Sequence, residues 1–198
     1  MFIENYVVVV PDGLRNTKKG CQFLTNTYRK SLLDAKKIAE VNNNYILLLP
    51  ANNFGGALKE EEVASNFLVK KGFEAEKILI GLSSKKSYLD TYDNFHEVLI
   101  NECKNIYGKI FKVSYALKDG KYTLVTSYLH IDRVLISIKL IGFKKPNKIF
   151  CSYAIETGYL PLRLIYYKWS YLRKIYELIA MVYFQFIKKL ICIFKKQK

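Results

Sequence analysis

Thr126, Ser127, His130 and Arg133 fall within one short stretch, Val125-Thr126-Ser127-Tyr128-Leu129-His130-Ile131-Asp132-Arg133. Hydroxyls at the end of an apolar run lie where backbone N–H groups are free to meet a ligand. A helix start just after them favours anions through its free N–H groups and its dipole. Arg133 can hold a phosphate or carboxylate in bidentate fashion. An imidazole titrates near neutral pH, so His130 can serve as acid or base. Positions 130 and 133 share one face of a helix. A bland account covers the same residues: a capping Ser followed by a structural His–Arg pair.

Five short apolar runs are available to position that stretch. Tyr6–Val10, Tyr45–Leu49, Lys77–Ile80, Tyr122–Thr126 and Lys148–Cys151 read as strands. Helices are expected at Thr27–Val41, Glu60–Lys71, Asp90–Asn105 and His130–Leu140, from apolar residues at helical spacing. Strands alternating with helices predict an α/β chain, a Rossmann-like three-layer domain with a mostly parallel sheet of about five strands. Ligands in such sheets bind past the carboxyl ends of the strands. Those ends are Pro11–Arg15, Pro50–Gly56, Gly81–Thr91, Thr126–His130 and Ser152–Thr157. Lys118-Asp119-Gly120 is a turn signal, so Phe111–Leu117 is expected to pair with Tyr122–Thr126 as a hairpin.

The His–Arg stretch resembles the Thr-Ser-x-x-His-x-x-Arg run of the bacterial YdcF/SanA/ElyC family. Other pieces follow in the family's order over about residues 6–150. Arg29, with Leu32, Leu33 and Ala35, is similar to its early Arg-led helix. Glu60, twelve residues before Gly72, is similar to its acidic position on the helix that leads into a Gly turn. Thr91-Tyr92-Asp93-Asn94 is similar to a Thr-x-Glu-Asn stretch, with Asp90 standing where the family has Asn. Pro11-Asp12-Gly13-Leu14-Arg15 replaces its Gly-rich turn, and Pro50-Ala51-Asn52-Asn53 its Ser-Gly-Gly turn.

The resemblance implies a ligand site with His130, Glu60 and Asp90 as catalytic candidates. Asp12, Gly13, Arg29, Asn52, Thr91, Asn94, Thr126, Ser127 and Arg133 are its ligand-binding candidates. It also implies a bacterial cell-envelope context and a small anionic ligand, nucleotide-like or a phosphorylated or lipid-linked envelope precursor. Read from the residues alone, Glu60 in Lys59-Glu60-Glu61-Glu62 is an ordinary acid at a helix start. Asp90 is likewise an ordinary cap, which contact with a ligand does not preclude.

Other chemistries are poorly served. Two His and four scattered Cys build neither a metal set nor a nucleophilic triad, and no cofactor motif is present. The cysteines, Cys151 among them, are expected to be buried thiols. The first residues carry no basic region before an apolar stretch, which speaks against a signal peptide. No run of about 18 apolar residues predicts a spanning helix. A cytoplasmic place is expected, or a peripheral one at the inner face of the membrane.

The chain has 198 residues and a net charge of +15, and from Lys144 onward there are 12 basic and 2 acidic residues. Two thirds of the excess charge therefore sits in the last 55 residues. Residues 1–157 are expected to form the α/β domain and 158–198 an aromatic and basic helical segment. On a helix, Ser170–Lys196 shows a basic stripe and a large apolar face. Up to about Tyr183 that face is expected to pack on the domain. Phe186–Lys198 is as well suited to an anionic membrane or a partner. The alternative function is thus a non-catalytic peripheral membrane or interaction module. The apolar residues between the lysines argue against nucleic acid.

Overall fold

A computed structural model describes residues 5–16, 22–51, 58–84, 89–155, 170–183 and 186. In chain order, β1 is Tyr6–Val9, β2 Leu14–Asn16, β3 Gln22–Leu24, α1 Asn26–Asn42 and β4 Tyr45–Leu48. Then come α2 Glu60–Lys70, β5 Ile78–Gly81, α3 Thr91–Ile100, β6 Cys103–Asn105 and β7 Ile110–Phe111. The chain continues through α4 Ser114–Lys118, β8 Tyr122–Ser127, α5 Ile131–Ile141, β9 Lys148–Ser152 and α6 Ser170–Tyr183.

Seven strands form one sheet in the order β7-β6-β5-β4-β1-β8-β9. The five predicted strands are its parallel part, and β6 and β7 extend the β5 edge in antiparallel fashion. The fold is a Rossmann-like α/β domain. Its central strand explains the β-branched run at Tyr6–Val10. Tyr6, Val8 and Val10 pack on one face with Phe95, Val98, Leu117, Val134 and Ile138. Val7 and Val9 pack on the other with Tyr28, Leu32, Ala35 and Leu68. A strand covered on both faces has no polar positions to alternate with.

Three local expectations differ from the structure. The helix expected over Asp90–Asn105 stops at Ile100, and Cys103–Asn105 becomes a strand. A tight turn follows, in which Asn105 Oδ1 accepts from the N–H groups of Tyr107 (3.1 Å) and Lys109 (2.9 Å). The hairpin expected from Phe111–Leu117 does not form. Residues 114–118 are helical, because Val113, Ala116 and Leu117 together reach one face of the core. Lys118-Asp119-Gly120 therefore closes that helix and launches β8. The antiparallel pair β2–β3 was not expected.

Candidate functional site

From β1 the chain passes to β4 and β5 on one side, then β8 lands on the other side of β1. The crevice beyond the carboxyl ends of β1 and β8 is where such a sheet accepts a ligand. The structure brings most of the candidates to it.

Val10 follows β1 and its N–H donates to Val125 O of β8 (3.1 Å). Asp12 is buried, and Gly13 adopts a φ of +94°, which a Cβ would strain. Thr25 fixes this loop. Its hydroxyl donates to Asp12 O (2.9 Å) and its N–H to Gly13 O (3.2 Å). The same hydroxyl caps α1 by accepting from Tyr28 N (3.1 Å). Sequence reasoning passed over Thr25, although Thr before a helical run is a cap signal.

The acidic start of α2 does more than meet the helix dipole. Glu60 Oε1 accepts from Gly13 N (2.6 Å). Glu61 Oε2 accepts from Ala51 N (3.0 Å). Adjacent carboxylates thus tie down the loops after β1 and β4, and both are buried. Burial above all pushes the Glu60 carboxyl up from an ordinary 4.5 to about 8. Backbone N–H groups of Gly13 and Asp12 oppose that, while the charges of Asp12 and Glu61 add to it. Burial thus favours the protonated form of Glu60. Its Oε2 is buried with no hydrogen-bond partner among the described residues.

Asp90 caps α3 by accepting from Asp93 N (2.9 Å). Asn94 is buried, and with its amide nitrogen facing carbonyls it donates to Asp90 O (2.8 Å), Pro50 O (3.0 Å) and Leu89 O (3.2 Å). That amide sews the loop after β4 to the first turn of α3. Thr91 Oγ1 shares a hydrogen bond of 2.9 Å with His130 Nε2, and both residues are buried.

Thr126 and Ser127 end β8, and a one-turn 3₁₀ helix, Tyr128–His130, leads into α5. Both side chains are buried, and Thr126 Oγ1 has no hydrogen-bond partner among the described residues. Arg133, one turn further on, pairs with α6. Its Nε lies 3.0 Å from Glu177 Oε2 and a second nitrogen donates to Glu177 Oε1 (3.3 Å), both side chains being about nine-tenths buried. The guanidinium also stacks 5.7 Å from the Tyr176 ring centroid.

Arg29 stands apart from the crevice. It is exposed, sits 5.7 Å from the Phe67 ring centroid, and lines a groove of about 430 Å³ with Leu24, Val63 and Lys70. Asn52, like Cys21 and Cys192, lies outside the described residues. Cys103 is buried as expected, but Cys151 is exposed, because β9 is an edge strand. Among the described residues no group of three metal-ligating side chains occurs. No described helix is long and apolar enough to cross a membrane.

Comparison with protein-family models, curated proteins and solved structures gives no match.

Around the crevice, Glu60 and Thr126 place buried oxygens that have no hydrogen-bond partner among the described residues. A protonated Glu60 already uses Oε1 as acceptor, so its proton sits on Oε2 and needs an acceptor. The Thr126 hydroxyl needs one as well. His130, oriented by Thr91, adds a group able to move a proton.

Proposed function

We propose that this chain is a YdcF-like protein that binds a small anionic ligand, nucleotide-like or phosphorylated, in the crevice beyond β1 and β8. A cell-envelope role is part of the same reading and rests on the motif resemblance alone. One observation carries the ligand reading. Two buried side-chain oxygens near the sheet's reversal point, Glu60 Oε2 and Thr126 Oγ1, have no hydrogen-bond partner among the described residues. Buried polar groups are ordinarily satisfied, and a bound phosphate or carboxylate would satisfy both. The ligand is held by these two side chains and by backbone N–H groups. His130 is the acid/base group.

The test is a thermal-shift screen of wild type, Thr126→Val and His130→Gln against nucleotides and sugar phosphates. Binding to the folded state alone raises the melting temperature by mass action. The expected result is a rise with one ligand class that Thr126→Val abolishes. A rise that both variants keep would place the ligand elsewhere, and no rise with any compound would count against an anion site.

A further inference from the structure

α6 is an amphipathic helix mounted the wrong way round for a core element. Among its described side chains the one it buries is Glu177, with Ala180 and Met181 half-buried beside it. At about 100° per residue, Leu172, Ile175, Ile179 and Val182 project from the opposite side. All four are exposed, Ile179 at 64% and Val182 at 50%. Leu178 and Tyr171 flank them, exposed at 57% and 72%, and Phe186 just beyond the helix is at 65%. A helix that packed for its own hydrophobic benefit would be rotated by half a turn. The Arg133–Glu177 ion pair sets the opposite rotation.

We infer that this outward face docks α6 flat on an anionic lipid bilayer. Charge decides between occupants. From Ser170 to the end the only acid is Glu177, and it is turned inward and paired with Arg133. Lys174 is exposed on the border of the apolar face, and Lys188, Lys189, Lys195, Lys196 and Lys198 follow in the sequence. An apolar face with Lys174 on its border, a lysine-rich sequence after it and no outward acid suits an interface of acyl chains and anionic headgroups. A second copy of the chain would bring the same positive charge against itself. Because its apolar residues cover one side only, the helix lies in the interface plane. Because α6 also packs on the 3₁₀ turn Tyr128–His130, docking holds the crevice beside the bilayer. The inference stands on α6 alone and does not depend on the crevice binding a ligand.

The test uses the full chain with vesicles of phosphatidylcholine, with and without phosphatidylglycerol. Sedimentation and the emission of the single tryptophan, Trp169, next to α6, report binding. Wild type is expected to bind the anionic vesicles, with a blue shift, and to release at high salt. Ile179→Glu/Val182→Glu should weaken binding at least about tenfold, since two charges would enter the apolar interface. Both positions are exposed, so circular dichroism should show an unchanged fold. Equal binding by wild type and variant, or no binding by wild type, overturns the inference. So does a dimer by light scattering that the double variant dissociates while vesicle binding persists, for then the face belongs to a second copy.

Discussion

Arg133 and Glu177 are 44 residues apart, and their side chains meet at 3.0 Å across the α5–α6 boundary. The pair joins the segment that holds His130 to the only helix beyond β9 among the described residues. It also engages the guanidinium of the Thr-Ser-x-x-His-x-x-Arg stretch with a carboxylate of α6. A short sequence run that reads as one site is divided by the fold into two jobs.

Arg133→Ala should therefore act first on stability. A buried ion pair broken on one side leaves an uncompensated charge, at a cost of about 3 kcal/mol or more. Urea unfolding should show that loss, and Arg133→Met/Glu177→Leu should recover most of it by replacing both charges with apolar groups. If Arg133→Ala unfolds at the wild-type urea concentration, the pair contributes little and Arg133 returns to the ligand-binding candidates.

Glu60 predicts a pH dependence of the opposite sign to that of most carboxylates. Its folded pKa, about 8, lies above the ordinary 4.5. Between those values the unfolded chain gives up a proton that the folded chain keeps. Stability tied to Glu60 is thus fully present below about pH 4.5 and is lost as pH rises towards 8, by up to about 1.4 kcal/mol per pH unit. Glu60→Gln keeps an acceptor for Gly13 N–H and has nothing to titrate. Urea midpoints at mildly acidic and mildly alkaline pH should fall for wild type relative to the variant. Parallel pH profiles would mean that Glu60 is ionised in the folded chain.

Gly120 is expected to tolerate no side chain. Its φ is +75°, and a Cβ built there meets Lys145 O at 2.6 Å. Neither the backbone oxygen nor the turn can move freely, because Asn147 N–H donates to Gly120 O (3.1 Å). Gly120→Ala should cost about 2 kcal/mol, from the left-handed conformation and the close approach together. A melting temperature within error of wild type would show that the 144–147 loop yields.

Much of this architecture can be read from residue types. Tyr6–Val10 can only be a strand buried on both sides, and hydroxyls at the end of Tyr122–Thr126 followed by His130 mark the crevice. What escapes is pairing at long range. Nothing near Arg133 announces Glu177, and nothing in Glu60-Glu61-Glu62 says that two of the three turn back to different loops. Residues 111–117 read as a strand because Lys118-Asp119-Gly120 signals a hairpin turn, but Val113, Ala116 and Leu117 reach the core from a helical turn instead. The amphipathic pattern at 170–183 is plain, but a periodicity defines a face and not the neighbour it meets. The expectation that this face packs inward failed for that reason.

Glu97 shows what such hidden pairing is worth. It sits fully buried on α3, and its Oε2 accepts from Ser83 Oγ (2.8 Å), Ser84 N (2.9 Å), Asn101 Nδ2 (3.1 Å) and Ser84 Oγ (3.2 Å). One carboxylate thereby fixes the loop after β5 and the end of α3 before β6. Bonds to a charged group are among the stronger ones, and removing this acceptor breaks four of them at once. Glu97→Ala should cost about 3 kcal/mol. Hydrogen exchange locates the effect: the Ser84 amide should lose protection well beyond the global loss, while Val7 in the central strand follows global stability alone. Equal changes at Ser84 and Val7 would mean that Glu97 supports the core and does not hold the loop.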